Sequence, residues 1–249
     1  MGLWLKTVQK MQTNVTGLKG NIVEFKVGNG VGRGYLSAPK TSRGGVIVLH
    51  AWWGLNDFFK GFCDRLANEG YTALAPDLRQ GKVAKTVDEA KRLMSEIDEA
   101  ATFPNIVLGG LDRLRSEPSL KGQHLGVVGF SMGASWALWL SSQRPSDVKA
   151  VAVFYGAYAE PAWDFSKSQA SYLGHFSPED EWEPMEGVQS LEDKIRKAHR
   201  PVTFHLYPGA KHWFIEDNQP AAYNREAAAL AWTRTLEFFH STLDRSSST

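Results

Sequence analysis

Ser131 stands in Gly129-Phe130-Ser131-Met132-Gly133, between the apolar run Leu125-Gly126-Val127-Val128 and the segment Ala134-Ser135-Trp136-Ala137-Leu138-Trp139-Leu140. The stretch reads as a strand, a tight elbow and a helix. A serine held in such an elbow takes a strained backbone angle, and glycines two before and two after it let strand and helix approach without a Cβ between them. The chemistry on offer is nucleophilic attack by the Ser131 hydroxyl. With 23 glycines in 249 residues, G-x-S-x-G arises from composition in roughly one such chain in six. It is therefore the strand before the motif and the helix after it that make Ser131 a candidate nucleophile.

A serine hydroxyl is a poor nucleophile near neutral pH, so it needs a base and an orienting acid, following this kind of elbow in the order Ser, Asp or Glu, His. The chain has seven histidines. His205 falls inside a strand-like run, His199 on a charged helix and His240 near the end of the last helix, while His50 and His124 precede the nucleophile. His212 lies in Tyr207-Pro208-Gly209-Ala210-Lys211-His212-Trp213-Phe214, a turn-rich loop just past the carboxyl end of a strand, where open α/β sheets place their chemistry. For the acid, Ala170 to Phe176 reads as a strand running into Ser177-Pro178-Glu179-Asp180-Glu181-Trp182. Glu179, Asp180 and Glu181 all follow that strand end, and the residues alone do not choose among them.

The elements that must position these groups alternate along the chain. Asn21 to Val27 and Gly32 to Ser37 alternate apolar and polar residues around Gly28-Asn29-Gly30, which predicts a hairpin. A nucleotide-loop reading of Gly28, Gly30, Gly32 and Gly34 fails, because Arg33 takes the third glycine position and a strand follows. Gly45 to Leu49 is a short run of the kind buried on both faces of a sheet. Asn56 to Asn68 carries Phe58, Phe59, Phe62, Cys63 and Leu66 at helical spacing and is stopped by Gly70, and Tyr71 to Pro76 is a further strand. Cys63 sits on the apolar stripe, as a buried helical cysteine would. Helical patterns at Val87 to Ile97 and Ala100 to Leu114 precede a turn around Pro118. After the elbow helix come a strand at Ala150 to Tyr155, a segment rich in Trp and acidic residues, a charged helix near Leu191 to Ala198, a strand at Val202 to Tyr207 and a helix from Ala221 to about Leu243. Strands alternating with helices predict a mostly parallel central sheet covered on both faces. We read residues 1–249 as one domain with a disordered tail at Arg245 to Thr249.

Composition narrows the function classes. Lys+Arg 28 against Asp+Glu 27 leaves a net charge of +1, dispersed, which argues against nucleic acid as a partner. A single cysteine excludes an internal disulfide framework and a cysteine metal cluster. No stretch approaches the roughly 18 apolar residues of a membrane span. The start, Met1-Gly2-Leu3-Trp4-Leu5-Lys6, has too short an apolar run for a secretory signal, and Lys6 stands where a myristoylation motif wants Ser or Thr. The expected location is cytoplasmic, where the sequon Asn14-Val15-Thr16 has no use.

From Gly45 to about Phe239 the chain resembles the dienelactone hydrolase family of α/β-hydrolases. The resemblance rests jointly on Trp52-Trp53-Gly54-Leu55-Asn56, Gly70-Tyr71-Thr72-Ala73-Leu74-Ala75-Pro76-Asp77-Leu78, Gly129 to Gly133, and Gly209-Ala210-Lys211-His212. It implies an α/β-hydrolase fold, an acid at Asp180, a histidine at His212, and an oxyanion hole made by the backbone N–H groups of Met132 and Trp52. The chain departs from the family in two respects. The name-giving enzymes carry a cysteine where Ser131 stands and a glutamate in the preceding loop, where this chain has Ala51. They also use arginines for the substrate carboxylate, one of them four residues after the histidine, where this chain has Glu216.

The expected activity is that of a carboxylic ester hydrolase cleaving a small ester or lactone through an acyl-enzyme on a Ser-His-Asp triad. No cofactor or metal is called for, and the protein is expected to act as a monomer or small homo-oligomer without nucleic-acid or membrane partners. A peptidase or amidase on the same triad, and a catalytically silent α/β-hydrolase that binds a ligand, are the competing readings. Trp53, Trp182 and Trp213, with Trp52, fall beside the loops that carry the oxyanion donor, the acid and the histidine and predict an aromatic-walled substrate pocket. Trp136 and Trp139 on the elbow helix read as core packing. Glu216 would then repel a substrate carboxylate unless Arg79 or Lys82 reaches the site.

Overall fold

The computed structural model describes residues 17–244. The chain start with its sequon and the tail from Arg245 lie outside the described residues. The strands β1 (Asn21–Val27), β2 (Gly30–Ser37), β3 (Gly44–Leu49), β4 (Tyr71–Pro76), β5 (Leu125–Phe130), β6 (Val148–Phe154), β7 (Ser171–Phe176) and β8 (Val202–Leu206) form one sheet in the order β1-β2-β4-β3-β5-β6-β7-β8. The hairpin β1–β2 and the pair β2–β4 are antiparallel, and the rest of the sheet from β4 to β8 is parallel. The hairpin turn is Gly28-Asn29, with Val27 paired to Gly30, and Gly28 takes a φ of 55° that a side chain would resist.

Two cores form because successive strand residues point to opposite faces. The helices are α1 (Asp57–Asn68), α2 (Val87–Ser95), α3 (Glu99–Arg115), α4 (Met132–Gln143), α5 (Met185–Lys197) and α6 (Arg225–Leu243). Val46, Val48, Val128, Phe130, Ala152 and Phe154 pack with α1, α2 and α6, whereas Ile47, Leu49, Val127, Val151 and Val153 pack with α3, α4 and α5. Cys63 is fully buried in the first core, and burial pushes its thiol well above its ordinary range, which keeps it protonated and unreactive. Trp136 and Trp139 pack only partly buried against the second core, in edge contact with each other at 5.5 Å.

Element ends are set by caps. The Asn56 side chain accepts from the N–H groups of Phe58 and Phe59 and starts α1, and Gly70 at φ 96° follows its end. Helix α5 begins at Met185, well before Leu191, behind Pro184, because Val188, Leu191 and Ile195 already share its buried stripe. Helix α6 begins at Arg225 and not at Ala221. Asn224 caps it by accepting from Ala227 N–H, and Ala222 and Tyr223 instead donate to the Gln219 carbonyl in a turn.

Candidate active site

Strand β5 delivers Ser131 into a conformation with φ 50° and ψ −117°, a region that non-glycine residues avoid and that persists only where the surroundings enforce it. The Ser131 N–H donates to the Phe154 carbonyl of β6 at 2.9 Å, and its carbonyl accepts from Ala134 N–H at 2.8 Å in the first turn of α4. Both flanking glycines are sterically required. A Cβ on Gly129 would strike the Gly133 carbonyl, and one on Gly133 would strike the Leu49 carbonyl and lie 2.6 Å from that of His50. The elbow can therefore lie directly against the exit of β3.

His212 arrives after β8, in a loop begun by a turn in which Ala210 N–H donates to the Tyr207 carbonyl. Asp180 arrives after β7. His212 Nδ1 lies 2.7 Å from Asp180 Oδ2 and 3.0 Å from Oδ1, and Nε2 lies 2.9 Å from Ser131 Oγ. A carboxylate only accepts, so Nδ1 carries the proton and, in the neutral ring, Nε2 is left to accept from the serine hydroxyl. The His212 and Asp180 side chains are 6% and 1% exposed, which shields the relay from water. Asp180 Oδ1 also accepts from the backbone N–H groups of Trp182 and Glu183, so the carboxylate is fixed before it meets the histidine.

The neighbouring acids have other work. Glu179 Oε2 accepts from Gly209 N–H and from the Ser177 hydroxyl, each at 3.1 Å, tying the acid loop to the histidine loop. Glu181 is exposed and lines the cavity in front of His212. Glu183 accepts from Ala157 N–H, with its carboxyl held above the usual range by burial.

Trp52 and Met132 leave from paired strands at matching positions, because Leu49 pairs with Gly129 and each residue lies three further on. Among the described residues neither backbone N–H has a hydrogen-bond acceptor. The preceding loop is fixed by His50, whose Nδ1 lies 2.7 Å from the Ala51 carbonyl and whose Nε2 accepts from Leu78 N–H at 3.1 Å. Burial holds the His50 imidazole below its ordinary pKa, so the ring stays neutral and keeps that acceptor.

A cavity of about 380 Å³ opens over His212, with Trp53, Trp182 and Trp213 among its walls. The Trp52 ring packs behind them, 5.2 Å from Trp182 and 6.0 Å from Trp213. Lys85, Lys211, Glu179 and Glu181 supply the charged lining. One expectation about charge is overturned. Glu216 is not a like charge facing substrate: it is 0% exposed, it accepts from the Tyr155 hydroxyl at 2.7 Å, and burial pushes its carboxyl up to about 8, so it is neutral at pH 7. Arg79 and Lys82 do not reach the cavity either. Arg79 is buried with Nη1 against Met94 Sδ, and Lys82 pairs with Glu96 at 3.0 Å.

Sequence reasoning missed Tyr155, Lys85 and Lys211. Tyr155 was visible only as the last residue of a strand-like run; its ring stands 4.8 Å from the His212 ring. The position of Lys211 beside the candidate histidine was a signal, whereas Lys85 reaches the cavity through a loop far away in the chain.

A mostly parallel sheet whose fifth strand runs into a serine elbow, with an acid and a histidine on loops after later strands, is an α/β-hydrolase. The chain belongs to the dienelactone hydrolase family, whose model matches residues 33–243. It is similar to Protein usf of Aquifex pyrophilus, at 30% identity over 225 residues, covering 88% of this chain and 97% of that protein. A "Putative carboxymethylenebutenolidase" of Aquifex aeolicus (strain VF5) is 27% identical over 225 residues, with 88% and 97% covered. The solved structure named m3DLH shares the fold with a TM-score of 0.82 at 23% identity, covering 92% of this chain and all 100% of that one.

Proposed function

We propose that the protein is a serine hydrolase that cleaves small ester or lactone substrates through an acyl-enzyme, with Ser131 as nucleophile, His212 as general base and Asp180 as its orienting acid. The observation that carries this reading is the continuous relay from Asp180 through His212 to Ser131 Oγ, at 2.7 and 2.9 Å, beside a cavity that His212 lines. His212 Nε2 takes the Ser131 proton as Oγ attacks the carbonyl carbon. The Met132 and Trp52 N–H groups stabilise the oxyanion, and His212 returns the proton to the leaving group. Water, activated by the same imidazole, then releases the acid. Ala51 is buried and carries no titratable group, so the chain activates an alcohol through a histidine and has no counterpart to a cysteine controlled by a glutamate.

A cavity of about 380 Å³ lies at the small end of ligand sites, and its tryptophan walls favour an apolar or aromatic acyl or alcohol part. The reading is tested with a fluorophosphonate probe on wild type and Ser131→Ala, alongside turnover of an aryl acetate. Wild type is expected to be labelled at Ser131, and the variant to lose both labelling and several orders of magnitude in turnover. Folded wild type that takes no label supports a ligand-binding protein instead. Turnover of an amide above that of the matched ester supports a peptidase.

A further inference from the structure

His212 is held at one ring nitrogen by Asp180 and at the other by the hydroxyl it must deprotonate. Once the proton moves, Nε2 becomes a donor that must pass from Oγ to the leaving group, and during that change only the Nδ1 bond to Asp180 fixes the ring. The flanks of the imidazole must then hold Nε2 in place. Trp213 stands edge-on at 4.9 Å, and Tyr155 lies across the ring at 4.8 Å and 56°. Tyr155 is fully buried, follows β6 with a φ of 39°, and donates its N–H to the His175 carbonyl. Its hydroxyl ends on Glu216 Oε1, while Glu216 Oε2 is buried with no hydrogen-bond partner. A buried, half-satisfied carboxyl is costly, and none of the Ser-His-Asp chemistry uses it.

We propose that Tyr155 and Glu216 form a positioning pair for His212, in which the carboxyl anchors the phenol as the wall that keeps the imidazole aimed at Ser131. This rests on the reading of His212 as general base. The pair also stitches the end of β6 to the histidine loop, since Glu216 lies four residues beyond His212. The groups that face Glu216 are Tyr155 just after β6, Asp217 in its own loop with Arg65 of α1 beyond, and Asp180 and His212 across the Tyr155 ring. Burial pushes the Glu216 carboxyl up to about 8, the Tyr155 hydrogen bond opposes that rise, and Asp217 adds to it.

The test is steady-state kinetics on an aryl acetate between pH 6 and 9.5 for wild type, Tyr155→Phe, Glu216→Ala and Glu216→Gln, each checked for folding by circular dichroism. Tyr155→Phe and Glu216→Ala are expected to lose roughly tenfold to a hundredfold in kcat, with KM moved by less than about twofold. Glu216→Gln keeps an acceptor for the phenol, so it should recover most of the kcat lost in Glu216→Ala. A purely structural role would lower stability while leaving kcat of the folded fraction unchanged. The proposal is overturned if Tyr155→Phe has wild-type kcat, or if Glu216→Gln recovers none of the kcat lost in Glu216→Ala. Should Glu216→Ala fail to fold, Tyr155→Phe, one oxygen smaller, decides. Ser131→Ala in the same series separates the two levels. If it keeps turnover, the general-base reading fails; if it is inactive and Tyr155→Phe is not slower, only the positioning pair is lost.

Discussion

Among three adjacent acids only Asp180 points at the imidazole, and its partners make the distinction measurable. Asp180→Asn preserves shape but presents an amide where Nδ1–H needs an acceptor, and it favours the wrong histidine tautomer. Turnover of an aryl acetate should fall on the order of 10⁴-fold. Glu179→Gln leaves an oxygen for Gly209 N–H and should change turnover by less than about threefold; if it is the severe variant, the acid has been misassigned. Glu216 has a second, thermodynamic signature. Its folded-state pKa of about 8 lies above the ordinary 4.5, so between those values the folded protein holds a proton that the unfolded chain has released. Its contribution to stability is complete below about pH 4.5 and is lost as pH rises through about 8. The melting temperature of Glu216→Gln should therefore gain on wild type steadily from pH 5 to 8. A constant difference across that range would mean that Glu216 ionises normally in the fold.

At the scale of elements, the elbow is a contact between backbones. Gly133 lies against the carbonyls of Leu49 and His50, and these cannot yield without moving the strand that leads to Trp52. Gly133→Ala should cost at least about 3 kcal/mol, a drop of roughly 6–12 °C in melting temperature for a chain of this size. Gly209→Ala is the comparison: φ is +76° but nothing lies within 4 Å of the added Cβ, so only the backbone term applies, about 1–2 kcal/mol. Equal losses in the two variants would show that the elbow tolerates a methyl group and that the close approach is unimportant.

For the whole molecule, parallel pairing gathers the carboxyl ends of β3, β5, β6, β7 and β8 into one rim, and this rim decides what the cavity offers a substrate. Two lysines and two glutamates line it, which leaves no net charge. Neutral aryl esters and lactones are accordingly expected to be turned over better than a carboxylate-bearing dienelactone. The measurement is the ratio of kcat/KM values at moderate ionic strength. If the dienelactone wins by more than about tenfold, roughly 1.4 kcal/mol of transition-state preference, an anion site operates, and Lys85 and Lys211 are the residues to replace, since Arg79 and Lys82 are engaged elsewhere.

The chain alone was enough for the alternation of strands and helices, for the elbow around Ser131 and for His212 on a loop past a strand. Each of these is a local matter: period-2 and period-3.6 burial, two glycines flanking a serine, a turn at Pro208-Gly209. The start of α6 was misplaced because Ala221 and Ala222 favour helix by propensity, whereas Asn224 supplies the cap. Asp180 could not be told from Glu179 by type and position, because the choice depends on which carboxylate the backbone N–H groups of Trp182 and Glu183 hold toward a histidine 32 residues away. Glu216 reads in sequence as a like charge that a substrate carboxylate would meet. Only folding buries it against the Tyr155 hydroxyl, where desolvation raises its carboxyl above the usual range and removes the expected repulsion.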